Sequence, residues 1–208
     1  MDAELTERTE CPRGPAVGPR RRRGRLVAGG VAVAALASAG VWAAGSGTAG
    51  LRGITAMISG ASPGVEDGVI PEGTRLSPFD TEAPAVRKLD GPLLAALRQA
   101  TIDARARHIE ITVTSGWRSR DYQQGLLDRA VVEHGTPERA RRFVNTPDAS
   151  THVAGRAVDV GPTDAAYWMA QYGPRYGLCQ VYSNEVWHYE LLTTPGGTCP
   201  AQLPDAAG

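Results

Sequence analysis

The chain has 208 residues, 42% of them hydrophobic and 21% charged, enough for one globular domain with a real core plus appendages. Its formal net charge of +0 conceals an asymmetry: residues 1–45 carry seven arginines against four acids, the remainder fifteen lysines and arginines against eighteen acids. A mildly acidic body argues against nucleic acid as a partner, which would favour a basic face.

Residues 1–25 end in the block RRRRGR, Arg20–Arg25, followed by the uncharged run LVAGGVAVAALASAGVWAAG over residues 26–45. An uncharged run of twenty residues behind a cluster of arginines predicts a single membrane-spanning segment with its N-terminal end in the cytoplasm. The run has no polar face, so a buried core helix fits it poorly. The polar region ahead of it is long for a signal peptide, which favours a retained anchor. Ala37-Ser38-Ala39 and Val41-Trp42-Ala43 are nevertheless patterns that a signal peptidase accepts, so a secreted form stays open. Either way the rest of the chain is expected outside the cytoplasm. Cys179 and Cys199 then lie on the oxidising side and are expected to form a disulfide, no C-x-x-C or Cys/His cluster offering a zinc alternative.

Residues 46–80 are rich in Gly, Ser and Pro without sustained periodicity and read as a flexible linker; the folded domain is expected over 81–203. Within it, Asp90–Arg107 spaces Leu93, Leu94, Leu97, Ala100 and Ile102 as an amphipathic helix does. HIEITVTSG alternates as a strand, with Ile109, Ile111 and Val113 on one face. Ser119 caps a helix through RDYQQGLLDRAVVEHG, whose Leu126, Leu127, Ala130 and Val131 form the buried stripe. TPERARRFV is a short helix begun by Pro137, its arginines a solvated face. VAGRAVDV is a second strand, TDAAYWMAQYG a helix and VWHYELL a third strand. Without regular βαβ alternation, the fold class is α+β: a small, mostly antiparallel sheet flanked by helices.

Reactive side chains cluster at the strand ends. His152 precedes AVDV across a turn at Gly155, and alternation puts Asp159 on the face of Ala157. In NEVWHYE, His188 and Glu190 share a strand face and Glu185 lies just before the strand. Two neutral imidazoles and one carboxylate are a standard catalytic zinc set, leaving a fourth position for water, which the metal acidifies. The same donors also suit other divalent metals. Taken singly, each of these residues has a plainer reading, a surface His/Asp pair or exposed acids, and alternation alone nominates Glu190 as the base beside His188. His108 and His134, at helix ends, need no functional account.

Three motifs occur in order along the chain: SGWRSRDYQ (Ser115–Gln123), S-x-H-x-x-G-x-A-x-D (Ser150 to Asp159) and E-x-W-H-x-E (Glu185 to Glu190). Together they resemble the M15 family of zinc D-alanyl-D-alanine peptidases, which includes the VanY-type carboxypeptidases and VanX-type dipeptidases. Trp117 replaces the usual tyrosine and is expected to reshape the pocket wall. Over residues 84–192 the resemblance implies one Zn2+ per chain held by His152, Asp159 and His188. It implies Glu185 as general base, Arg118 as the cation that meets the carbonyl oxygen, and Ser150 and Gln123 as substrate contacts; Glu190 then becomes a partner that orients a ligand. The implied function is hydrolysis of peptidoglycan stem peptides in the bacterial cell envelope, by removal of the terminal D-Ala from D-Ala-D-Ala. Endopeptidase or dipeptidase activity, or an inactive wall-binding module, are the alternatives.

Overall fold

The structure, a computed structural model, describes residues 62–208. The arginine block and the apolar run 26–45 lie outside the described residues, among which no helix is long and apolar enough to cross a membrane. The elements are α1 (Pro84–Arg87), α2 (Gly91–Arg105), β1 (Thr112–Ser115), α3 (Arg120–His134), α4 (Pro137–Ala140), β2 (Ala157–Gly161), α5 (Thr163–Tyr172), β3 (Leu178–Gln180) and β4 (His188–Leu191). The four strands form one sheet in the order β1-β2-β4-β3, and every pairing is antiparallel. This is the expected α+β architecture.

Strand alternation divides the sheet into two faces. Val113, Val158, Val160, Leu178 and Tyr189 point to one side, where Leu93, Leu97 and Ala100 of α2 and Ala165, Ala166 and Met169 of α5 cover them. The Tyr189 hydroxyl donates to the carbonyl of Ala166 at 2.8 Å, so the largest fully buried side chain keeps its polar tip satisfied. The opposite face carries Ser115, Asp159, His188 and Glu190. α3 and α4 form a smaller apolar cluster of Leu127, Ala130 and Ala140 beside it. Ser119 caps α3 as expected, accepting from the amide of Tyr122 at 3.1 Å.

Some expectations differ from the structure. Ile102 is 51% exposed; Thr101 takes the buried place and donates its hydroxyl to the carbonyl of Leu97, which removes the penalty of burying it. The linker reading of residues 46–80 does not hold for the last part of that stretch. Ile70 and Leu76 pack on the core, the Leu76 carbonyl accepts from Val113 at 2.7 Å, and the Asp67 carbonyl accepts from Ser119 at 2.8 Å. Gly68, at φ 90, lets this segment approach the backbone of Trp117 so closely that no Cβ fits. β3, only three residues long, is a strand beyond the three expected from the sequence. The ordered C-terminal residues also run past 203: Asp205 is buried and bonded to Arg142 at 2.6 Å.

Cys179 and Cys199 are disulfide-bonded, with Cα atoms 5.7 Å apart and a separation of 20 residues. A loop of that length stabilises the fold by about 3 kcal/mol in the chain-entropy view.

Candidate metal centre

Strand register builds most of the site. Asp159 on β2 pairs directly with Ser115 on β1 and with His188 on β4, so three polar side chains form one row across the sheet. β2 is central and every residue of it is buried. His152 reaches the row from the turn that precedes β2. Gly155 adopts φ 71 there, and a Cβ at this position would lie 2.5 Å from the carbonyl oxygen of Lys88. The turn is thereby pressed against the α1–α2 connection, where the amide of Asp90 donates to the Gly155 carbonyl at 2.8 Å. This close packing returns His152 over the sheet.

His152, Asp159 and His188 are all buried, and each offers a ligand atom within 4.8 Å of the others. His152 Nε2 lies 3.2 Å from His188 Nδ1 and 3.4 Å from Asp159 Oδ1; His188 Nδ1 lies 3.1 Å from that same oxygen. The outer nitrogens are engaged elsewhere. His152 Nδ1–H donates to the carbonyl of Gly116 at 2.8 Å, and His188 Nε2–H donates to Glu190 Oε1 at 3.2 Å. Those bonds place each ring's other nitrogen lone pair toward Asp159, the arrangement expected of metal-ligating histidines.

Two lone pairs and a carboxylate facing one another need a positive charge between them. Burial lowers the pKa of His152. Burial alone would raise Asp159, but His152, His188 and Arg118 together hold its carboxyl well below the usual range. Burial also disfavours a charged His188, yet its bonds to Asp159 and Glu190 prevail and raise it to about 9. Without a metal, then, a proton on His188 Nδ1 supplies the charge. The donor set, N, N and O, buried and convergent, fits a divalent ion such as zinc.

Glu185 lies in the turn between β3 and β4, with Oε2 3.8 Å from His188 Nδ1 and its side chain 12% exposed. Burial, supported by the charge of Asp159, raises its carboxyl to about 7. Arg118 donates from Nε to Ser115 Oγ at 2.8 Å, from Nη1 to Gln123 Oε1 at 3.2 Å and from Nη2 to Asp159 Oδ2 at 2.9 Å. Of its five N–H groups, two are uncommitted by these bonds, and the side chain lines the cleft. Gln123 is fully buried, holding Arg118 through its oxygen and donating to the Asn145 carbonyl at 2.8 Å.

The metal-site residues form the floor of a cleft of about 360 Å³, which Ser150 and Trp187 also line. Trp117 does not line it. Its ring instead lies beneath the ammonium of Lys88, 3.7 Å from the centroid, so the expected change to the pocket wall is absent. Sequence reasoning missed Tyr182, whose ring is 4.9 Å from that of His188, together with Asn145 and Asn184 on the cleft wall. No motif contains these three. Tyr182 and Asn184 lie close to Glu185 along the chain, the one signal that points to them; Asn145 has none.

The family model for VanY, D-alanyl-D-alanine carboxypeptidase, matches residues 86–193. A D-alanyl-D-alanine carboxypeptidase of Enterococcus faecalis is 27% identical over 120 residues, covering 46% of this chain and 45% of that protein. The chain thus spans about half the length of this curated relative. Among solved structures, VanYB in complex with D-alanine-D-alanine is 26% identical over 50% of this chain and 72% of its own, with a TM-score of 0.47. A vancomycin-resistance VanY in complex with Zn(II) is 25% identical over 49% and 71%, also at 0.47. The LD-carboxypeptidase LdcB is 25% identical over 60% and 67%, again at 0.47.

Proposed function

Because the chain belongs to the VanY family of D-alanyl-D-alanine carboxypeptidases, whose model spans just over half of it, we propose that it is a zinc-dependent carboxypeptidase removing the terminal D-Ala from peptidoglycan stem peptides. The observation that carries the reading is the convergence of His152, Asp159 and His188 at the floor of an open cleft, with the outer ring nitrogens of both histidines bonded elsewhere. Bound zinc supplies a Lewis acid that acidifies water toward neutral pH and polarises an amide carbonyl.

The chain's own residues supply the rest. Glu185, raised to about 7, takes a proton from the attacking water and hands it to the leaving amine, a task suited to a base poised near the working pH. Arg118 turns its uncommitted N–H groups toward the carbonyl oxygen as charge develops there, while its other donors fix Asp159. Gln123, committed to Arg118 and Asn145, serves the substrate by holding that guanidinium in place, and Ser150 contacts the peptide from the cleft wall. Glu190 fixes the tautomer of His188. The apolar run 26–45 anchors or exports the domain, which works in the cell envelope beside its substrate.

The test is to incubate the full chain with a muropeptide ending in D-Ala-D-Ala and weigh the products. Loss of one alanine, abolished by chelator and restored by zinc, is the expected result. Cleavage at another bond, or release of intact D-Ala-D-Ala, would overturn the carboxypeptidase assignment while leaving the hydrolytic site in place.

A further inference from the structure

Residues 199–208 lie beyond the stretch matched by the family model, yet they touch the cleft. The Leu203 amide donates to the carbonyl of Val181 at 2.9 Å, and the Leu203 carbonyl accepts from Ser183 at 2.8 Å. Tyr182 and Leu203 form a parallel bridge, and the Ser183 hydroxyl donates to the Pro204 carbonyl at 3.1 Å. The strap thus extends the β3 end of the sheet alongside the turn that carries Tyr182, Asn184 and Glu185. The Cys179–Cys199 bond anchors its start on β3, and Ala206 near its end forms part of the cleft wall.

One residue joins this strap to the opposite wall. Arg142, just after α4, donates from Nε to Asp205 Oδ2 at 2.6 Å. Its carbonyl accepts from the Ala206 amide at 3.3 Å and from Asn184 Nδ2 at 3.3 Å. Three segments separated in sequence therefore meet at a single residue: the loop running from α4 to Asn145, the turn bearing Glu185, and the C-terminal strap. The Asp205 carboxylate is 9% exposed and also accepts from the amide of Ala207, whereas the Arg142 side chain is 62% exposed. The buried carboxylate is the fixed member of the pair.

We propose that Asp205 is a positioning residue: through Arg142 and the disulfide-anchored strap it holds the Glu185 turn at its working distance from the metal ligands. It touches neither the metal nor, by this account, the substrate. The inference rests on the assignment of Glu185 as base made above. Without the Arg142–Asp205 pair only the Ala206 amide still ties the strap to Arg142, the carbonyl that Asn184 donates to is no longer fixed, and Glu185 samples positions in which proton transfer fails. Misplacement of that size lowers turnover far more than it weakens substrate binding.

The test compares the full-length zinc-loaded protein with Asp205→Ala, Asp205→Asn and Asp205→Glu, at a temperature well below every melting transition. For Asp205→Ala, kcat is expected to fall roughly ten- to a hundredfold, with KM and zinc affinity changed less than about threefold; Asp205→Glu recovers most of the loss and Asp205→Asn little. A strap that merely stabilises the fold would lower the melting temperature and leave kcat untouched, and kcat within twofold of the parent overturns the proposal. Hydrogen exchange at Ser183 and Glu185 supplies a second readout that needs no substrate. Faster exchange in Asp205→Ala is expected, and unchanged exchange contradicts the proposal even if the parent cleaves no muropeptide, a failure that would fall on the substrate assignment alone. Should Asp205→Ala not fold, Arg142→Gln breaks the same pair from its exposed side, with the same outcomes.

Discussion

Beneath the sheet, Val113, Val158, Val160, Leu178 and Tyr189 pack against α2 and α5 with almost no surface in contact with water. Above it, on alternate residues of the same strands, Asp159, His188 and Glu190 are buried nearly as deeply. The lower face is complete in itself, because hydrophobic burial and dense packing stabilise it without any partner. The upper face gathers carboxylates and imidazoles out of water, which is unfavourable unless a cation joins them. One face supplies rigidity; the other uses it to hold ligand atoms within a few ångströms of each other. Placing Asp159 opposite His188 requires only the register that the apolar face enforces.

That contrast can be broken from either side. The largest effect is expected on the polar face: Glu185→Gln should lower kcat by about a thousandfold, within the range for removal of a general base, while zinc stays bound. Single-turnover kinetics with metal analysis check it, and loss of zinc together with activity would move Glu185 into the ligand set. On the apolar face, Leu97→Ala should cost about 2–5 kcal/mol of stability, read by denaturant unfolding, yet leave kcat nearly unchanged while the protein stays folded. Glu190→Gln should weaken zinc binding about ten- to a hundredfold by loosening the orientation of His188, measured by competition with a chelator.

The smallest effect is in pH dependence, and its sign separates the metal-free polar face from the metal-loaded one. In the metal-free protein His188 is raised from 6.5 to about 9, so its stabilising contribution is fully present below pH 6.5 and is lost as pH rises through 9. Melting temperature without metal should therefore fall between pH 7 and 9. With zinc, which displaces that proton, it should hold or rise over the same interval. Parallel profiles with and without zinc would mean that the metal does not occupy the His188 Nδ1 position.

The sequence conveyed the two faces unequally. The strands AVDV and VWHYELL alternate cleanly, so the common face of His188 and Glu190 is legible in the sequence, and His152 stands out beside a glycine turn. Convergence of those groups was not readable from spacing, since it depends on the β2–β4 register and on Gly155 docking against Lys88. β3, with three residues, is too short to display a period. Residues 65–80 carry the composition of a tether, yet two apolar anchors, Ile70 and Leu76, suffice to pin them. The Arg142–Asp205 pair spans 63 positions, and nothing near either residue distinguishes it from an ordinary surface charge.

The most direct test of the central claim is metal content. The full chain, purified without chelator, should carry one zinc, and Asp159→Asn and His152→Ala should each lose it while circular dichroism shows the fold intact. Hydrolysis should vanish with the metal and return on adding zinc back. A protein that binds no divalent ion, or one that cleaves a D-Ala-D-Ala muropeptide equally well in excess chelator, would contradict the account.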